Sequence, residues 1–426
     1  MTLAFNITLL LLLQGYLFYL SKLNLKIIFV FGLLVFQGLT IVPSLIYIEE
    51  GIYISEQGRD SYFVGATLIY FIYFAITLKL IFSTFASLKK YKATNPILTL
   101  KGIKYDTSVI FYLSVLALTI LYYNALQSEL PLFNPEITRF TYWENSKFPF
   151  LNKILGNTSI FIPFACGILF KFHRARSIFL LILYFIYNFL IGQKFSPIVS
   201  GLYSFFLPII LMNSNEINIY KLLNKKVLAF LIIIFVIAYN VVYKRYEERR
   251  PFAIIKIYDP NEAMIYRAFG LQGHLMWGSV EAYIYNDEPH SYNPSDFFQG
   301  MKKLMIKFAA NKSEIINNPS SNFNFTNGYP SILFYVFPLP IAIVLHIILT
   351  IILIAFPGWL LFQFIKNGAY AVALVLYQFF NWSIYAFTMG YFYKLKFIAA
   401  FLICYAVFVV YKNKIQADKT NYILPK

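Results

Sequence analysis

The chain has 426 residues, of which 59% are hydrophobic, 20% aromatic and 13% charged. A soluble domain carries about 25% charged residues, so this composition excludes a soluble enzyme, a secreted domain and a disordered chain. The formal net charge is +17, but the lysines stand in short stretches between apolar runs, where they orient a chain in a membrane. We therefore expect the lipid bilayer, and no nucleic acid, as a partner.

Apolar runs long enough to cross about 30 Å of hydrocarbon recur along the chain. They predict an all-α polytopic membrane protein with about eleven transmembrane helices. The predicted spans, in chain order, are residues 3–20, 27–48, 62–82, 107–126, 156–172, 178–193, 196–213, 227–244, 337–362, 369–391 and 396–412. Residues 1–243 then hold spans 1–8, residues 337–412 hold spans 9–11, and residues 413–426 form a cytoplasmic tail.

The distribution of lysine predicts the orientation of these spans, because Lys and Arg near span ends stay cytoplasmic. Alternate loops are rich in lysine, near residues 22–26, 89–104, 171–176 and 221–226. We assign these loops to the cytoplasm and the intervening ones to the outside. An odd number of spans then places the amino terminus outside and the carboxyl terminus inside.

Residues 244–336 break the pattern, because this stretch is polar, contains six prolines and has no apolar run of 20 residues. Loops this long are uncommon unless they are functional or carry structure of their own. We expect one large helical outer loop with a helix over 261–285, begun by Asp259-Pro260-Asn261 and ended near Asn286-Asp287. A second, amphipathic helix is predicted over 295–316.

Arginine is distributed differently from lysine. The chain has eight arginines, and the predicted topology places six of them outside: Arg59, Arg139, Arg245, Arg249, Arg250 and Arg267. A guanidinium binds phosphate or carboxylate oxygens with two hydrogen bonds, whereas an ammonium acts more like a point charge. An outward cluster of this kind indicates an anionic ligand, and phosphate fits best. The alternative is that these arginines contact lipid headgroups or pair with nearby acids, which we favour for Arg59 beside Asp60.

The predicted helix 261–285 carries the most specific arrangement. At 100° per residue, Arg267, His274 and Glu281 fall within about 40° of one another, and Gly270 and Gly278 lie close to the same face. The face thus combines a cation, a titratable imidazole and a carboxylate beside glycines that allow close approach. Histidine can accept a proton from a sugar hydroxyl near neutral pH. A single histidine on a helix is nevertheless ordinarily structural.

Lys194 occupies a tight hairpin between two spans, where it could meet the arginine-bearing loop or extend along the membrane surface. Cys166 and Cys404 both fall in apolar runs, far from any spacing typical of metal ligands, and are interpreted as packing residues. The sequence contains no phosphate-binding loop, H-E-x-x-H motif, C-x-x-C pair or outer acidic cluster. We therefore expect neither a metal nor a cofactor.

Three stretches, PLFNPEITRFTYW (131–143), GQKFS (192–196) and RAFGLQGHLMWG (267–278), carry a family resemblance. In order and spacing they resemble the oligosaccharide repeat-unit polymerases of the Wzy type, which extend O-antigen and related surface polysaccharides. The resemblance implies a metal-independent, GT-C-like glycosyltransferase in the bacterial inner membrane with its active site facing the periplasm. Its substrates would be oligosaccharides linked to undecaprenyl diphosphate, with a polysaccharide chain-length regulator as a candidate partner.

The resemblance also implies roles for individual residues. Arg267 and Lys194 would bind the lipid diphosphate, His274 would activate the acceptor hydroxyl, and Arg139 would match an arginine of the earlier outer loop. Further candidates for contact with diphosphate or glycan are Arg245, Arg249, Arg250 and Glu281. Two alternatives stay open: an O-antigen ligase, which uses the same donor with a lipid A core acceptor, and a flippase or transporter of lipid-linked oligosaccharide.

Overall fold

The computed structural model describes most of the helical framework. The residues described are 2–50, 63–91, 102–134, 137, 141–152, 155, 160–193, 195–213, 236, 239–240, 243, 247, 259–265, 269–270, 272–308, 327–390, 399 and 402–414. No strand occurs among them, and the prediction of an all-α protein is confirmed for this part of the chain. Backbone buried in hydrocarbon must satisfy its own hydrogen bonds, which helices do.

The first half of the chain contains eight of the described helices. They are α1 (Thr2–Val30), α2 (Gly32–Glu49), α3 (Ala66–Ser87), α4 (Ile103–Leu126), the short α5 (Tyr142–Asn145), α6 (Phe161–Phe170), α7 (Arg174–Leu190) and α8 (Phe195–Met212). The second half contains α9 (Pro260–Ile265), α10 (His274–Val280), α11 (Pro294–Gln299), α12 (Met301–Phe308), α13 (Ser331–Val336), α14 (Leu339–Lys366), α15 (Tyr370–Met389) and α16 (402–414).

Six of these helices, α1 to α4, α14 and α15, are long and apolar enough to cross a membrane. The class of helical membrane protein is therefore confirmed. Two further apolar helices, Phe161–Phe170 and Pro197–Met212, are shorter. Predicted span 227–244 falls largely outside the described residues, and the total of eleven spans stays a prediction.

The first two helices form an antiparallel hairpin. The side chain of Asn6, near the start of α1, donates a 2.8 Å hydrogen bond to Oε2 of Glu49, at the end of α2. The predicted break between spans 1 and 2 is confirmed: two helical stretches meet within α1 at a kink at Asn24, where φ is −162° and ψ is 93°. The Asn24 side chain accepts a hydrogen bond from the Ile27 amide at 3.3 Å. It thereby caps the start of the helical stretch that follows Asn24, as Asn does at helix starts.

Glu49 joins α2 to α3, although the sequence placed it at the start of an outer loop. The carboxylate is 7% exposed and accepts hydrogen bonds from the amides of Gly65 and Thr67, at 2.9 and 3.0 Å, and from the Thr67 hydroxyl at 2.8 Å. These amides begin α3, where the helix dipole favours a negative charge. Glu49 therefore fixes the end of the first helical hairpin that carries Asn6 to the start of α3.

Helix α6 lies at the centre of the bundle, and every residue from Ile162 to Leu169 is buried. A helix that is apolar on all sides is expected to be surrounded by protein. Gly167 allows α8 to approach: a Cβ at this position would lie 2.1 Å from the carbonyl oxygen of Phe205. The close contact between α6 and α8 therefore depends on glycine.

Helix α14 contains a π-helical stretch, Thr350–Ala355, immediately before Phe356–Lys366. Pro357 follows this stretch and has no amide hydrogen to donate to the preceding turn. The wider π turn accommodates the missing hydrogen bond and lets the helix continue across the membrane.

The described part of the outer loop consists of short helices. The predicted start of its first helix is confirmed, since α9 begins at Pro260 and the Asn261 amide donates to Asp259 Oδ1 at 3.1 Å. The predicted second helix was wrong as a single unit: α11 ends and α12 begins on either side of Gly300, whose φ is 56°. A positive φ favours glycine and interrupts a right-handed helix.

Candidate functional site

Two of the eight candidate site residues, His274 and Glu281, lie in the described part of the chain. The other six lie outside the described residues: Arg139, Lys194, Arg245, Arg249, Arg250 and Arg267. The roles assigned to those six therefore stay predictions. The site is built here from the segment 272–286, which carries His274 and Glu281, and from the residues that hold this segment in place.

The segment 272–286 begins with a turn at Gln272 and Gly273, followed by α10 and a π-helical stretch, Glu281–Tyr285. The prediction of one uninterrupted helix over 261–285 was therefore wrong, although its predicted end at Asn286 is confirmed. His274 and Glu281 lie seven residues apart in one continuous helical stretch. The helical spacing that linked Arg267 to them does not continue across the turn.

A tertiary contact explains this interruption. The Gly273 amide donates to the Ser44 hydroxyl of α2 at 2.8 Å, and that hydroxyl lies 3.3 Å from the Gly270 carbonyl oxygen, to which it donates. A Cβ on Gly273 would lie 3.1 Å from the backbone nitrogen of Leu45. Ser44 thus takes the place of a helical hydrogen bond, and glycine permits the backbone to approach α2 closely.

Every residue of α10 is buried, including His274 at 1% exposure. Glu281 is 5% exposed, and its Oε1 accepts a hydrogen bond from the Asn286 side chain at 2.7 Å. The indole of Trp277 donates to the Phe63 carbonyl at 2.9 Å, which ties α10 to the residues before α3. A Cβ on Gly278 would lie 3.2 Å from the ring of Phe308. This glycine therefore packs against protein in the structure.

A chain of amide side chains connects the segment 272–286 to the bundle. Asn327 Nδ2 donates to the backbone oxygen and to the Oε1 of Gln272, each at 3.0 Å, and Asn327 Oδ1 accepts from the Gln37 side chain of α2. Asn327 is 7% exposed. Amide groups suit this position because each carries both donors and an acceptor, so one residue can bridge two partners.

Gln37 also lines a small cavity between α2, α3 and α14, whose volume of about 20 Å³ has room for one water molecule. His346 of α14 faces this cavity and is 1% exposed. Its Nε2 lies 3.1 Å from the carbonyl oxygen of Tyr73, and its Nδ1 lies 2.7 Å from the hydroxyl of Tyr329. A buried, neutral imidazole with these partners donates from Nε2 and accepts at Nδ1, because a carbonyl can only accept.

Tyr329 completes this cluster from the loop before α13. Burial raises the pKa of the Tyr329 phenol well above its usual range, and the nearby Tyr73 adds to the effect. The phenol therefore stays protonated and donates to His346. Gln37 lines the cavity beside this cluster and is hydrogen-bonded to Asn327, so a chain of amide side chains leads from the cavity wall to the backbone beside His274.

Sequence reasoning did not select His346, which lies deep in an apolar span. Such a position was itself a signal, since ionisable residues inside transmembrane helices are rare and commonly functional. Its partners could not be found in the same way: Tyr73 and Tyr329 are 273 and 17 residues away along the chain. Asn327 belongs to no recognisable sequence motif, so nothing in the sequence pointed to it.

The fold and these contacts define a polytopic helical membrane protein in which the segment 272–286 packs against the helix bundle. Residues 294–404 match the model of a family described as a family of unknown function (DUF6418). The match covers about a quarter of the chain and includes Asn327, Tyr329 and His346, but not His274. No curated protein and no solved structure shows a significant match to the chain.

Proposed function

We propose that the chain is a membrane glycosyltransferase that polymerises undecaprenyl-diphosphate-linked oligosaccharide repeat units into O-antigen or a related polysaccharide on the periplasmic side of the bacterial inner membrane. The observation that supports this most is the attachment of the segment 272–286 to α2 by buried hydrogen bonds. A base that must act on a membrane-anchored substrate has to be held at the bundle. Ser44, Gln272 and Asn327 provide that attachment.

In the proposed reaction, an acceptor hydroxyl attacks the anomeric carbon of the donor repeat unit. The bond from that carbon to the diphosphate oxygen breaks, and the hydroxyl proton passes to His274. The leaving diphosphate gains negative charge, which Arg267 and Lys194 would stabilise more strongly than the ground state. Because His274 is 1% exposed, the segment 272–286 has to open to admit the acceptor on this proposal.

The test is complementation of a deletion strain with variants of the full chain, followed by analysis of glycan length. Loss of a polymerase leaves single repeat units on the lipid core, whereas loss of a ligase leaves long chains on the carrier lipid. His274→Ala should lower polymer formation by about 10²–10⁴-fold and Arg267→Ala by about 10²–10³-fold. Arg59→Ala, an outer cation assigned to pairing with Asp60, is the control and should complement fully. Full activity of both test variants would contradict the proposed mechanism.

A flippase or transporter of lipid-linked oligosaccharide is the second candidate, and His346 is the observation that favours it. Transporters place ionisable groups within their spans along the substrate path, and His346 is hydrogen-bonded through both ring nitrogens inside the bundle. Loss of flipping in inverted membrane vesicles of the deletion strain, with polymer synthesis intact once the vesicles are permeabilised with detergent, would support this alternative against the polymerase.

A further inference from the structure

Helices α4 and α7 run side by side in the same direction. The Tyr122 hydroxyl donates to the Leu183 carbonyl at 2.7 Å, and the rings of Tyr122 and Tyr187 are 5.8 Å apart. At the other end, the Arg176 guanidinium lies 5.5 Å from the centre of the Phe111 ring. The first half of α4 therefore contacts the first half of α7 and the later parts contact each other, as expected for two parallel helices.

A groove with a volume of about 550 Å³ lies between these two helices. Its walls are apolar and aromatic side chains of α4, from Phe111 to Leu126, and of α7, from Phe179 to Leu183. Of the described side chains that line it, Arg176 is the one that carries a charge. The groove thus combines a long apolar wall with a single cation near its start.

The length and lining of the groove suit a lipid chain. The fifteen-residue separation of Phe111 and Leu126 along α4 corresponds to about 22 Å, compared with roughly 15 Å for one leaflet of a 30 Å hydrocarbon core. An acyl chain from one leaflet can therefore lie along the apolar wall with its headgroup at the Arg176 end.

Charge identifies the other end of the occupant. Arg176 is exposed, and its stacking on Phe111 orients the planar guanidinium while leaving N–H donors at its edge for a phosphate. Lys171 is also exposed nearby along the chain, and basic residues at a cytoplasmic surface attract anionic lipids. The predicted topology assigns this end of α7 to the cytoplasm.

We propose that the groove between α4 and α7 binds one acyl chain of an anionic phospholipid from the adjacent leaflet, with the lipid phosphate hydrogen-bonded by Arg176. This lipid site is independent of the proposed glycosyltransferase chemistry. It would hold the α4–α7 pair together on its lipid-facing side, where Leu126 and Phe179 are 78% and 62% exposed.

The test is native mass spectrometry of the purified full chain with phosphatidylglycerol or phosphatidylcholine carrying the same acyl chains. The wild type should retain one phosphatidylglycerol at least tenfold more strongly than phosphatidylcholine. Arg176→Gln should abolish that preference, and Val115→Trp, which fills the groove, should lower retention of lipid about tenfold. The matched control is Arg174→Gln, because this arginine stacks on Phe170 and does not line the groove.

Equal retention of the two lipids by the wild type would overturn the proposal, as would an Arg174→Gln effect as large as that of Arg176→Gln. Unchanged retention in Val115→Trp would place the lipid elsewhere and would also overturn it. A co-purifying protein lost in Val115→Trp, without a lipid preference, would show that the groove holds a partner instead. Thermal unfolding midpoints close to that of the wild type establish that each variant is folded.

Discussion

Asn327 offers the sharpest test of whether the segment 272–286 depends on the bundle. Asn327→Asp keeps the shape of the side chain but replaces the amide donor that serves both oxygens of Gln272 at 3.0 Å. Two hydrogen bonds of about 1 kcal/mol each are lost, and burying acceptors without this donor costs about 1 kcal/mol more. We expect the free energy of local opening to fall by about 3 kcal/mol, which corresponds to roughly a hundredfold in the equilibrium constant.

Amide hydrogen exchange followed by mass spectrometry measures this opening directly. Peptides covering residues 272–286 should exchange roughly a hundredfold faster in Asn327→Asp, while peptides from α6, the buried central helix, keep their rates. Asn145→Asp changes an exposed asparagine and is the matched control. Unchanged exchange over 272–286 in Asn327→Asp would refute the attachment of this segment through Asn327.

Three further substitutions test the packing and the buried polar groups by thermal unfolding of the solubilised protein. Burial alone would raise the pKa of Asp296, but its hydrogen bonds and the 2.9 Å ion pair with Lys303 outweigh burial and lower it. Asp296→Asn should therefore cost about 1–3 kcal/mol at neutral pH, and the difference should shrink as the pH falls below the ordinary pKa near 4. Gly167→Ala should cost about 3 kcal/mol, because its Cβ would lie 2.1 Å from a carbonyl oxygen of α8. Tyr329→Phe removes the hydroxyl that donates to a buried imidazole at 2.7 Å and should cost about 1–3 kcal/mol.

One control substitution and a contradicting outcome for each variant complete these predictions. Gly15→Ala adds a methyl group with no heavy atom within 4 Å and should leave the unfolding midpoint of the protein near that of the wild type. A destabilisation by Asp296→Asn that stays constant from pH 7 to pH 3 would contradict the pKa argument. A wild-type midpoint for Gly167→Ala or Tyr329→Phe would show that the corresponding contact does not stabilise the fold.

The membrane helices could be predicted from the sequence where they are long and apolar. The spans predicted over 62–82 and 107–126 correspond to α3 and α4. Helix α3 begins four residues and ends five residues later than predicted, whereas α4 begins four residues earlier and ends at the predicted residue. This agreement has a simple cause: an apolar run of this length has no alternative to helix in hydrocarbon. The predicted break between spans 1 and 2 coincides with the kink at Asn24, whose side chain caps the helical stretch that follows.

The candidate site was harder to predict, because its shape depends on contacts between residues distant in sequence. The turn before His274 exists because Ser44 bonds the Gly273 amide across 229 residues of chain. Helical periodicity describes one element at a time and contains no information about such a partner. Similarly, His346 was visible as an ionisable residue in a span, while its hydrogen-bond partners become apparent only from the packing of α3 against α14.

The most direct test of the proposed function uses the purified wild-type chain in lipid nanodiscs with undecaprenyl-diphosphate-linked repeat units and no other protein. We expect glycans of two or more repeat units on the lipid carrier, formed by the wild type at least 10²-fold faster than by His274→Ala. Products that never exceed one repeat unit, from protein that unfolds at the wild-type temperature, would contradict the assignment as a polymerase.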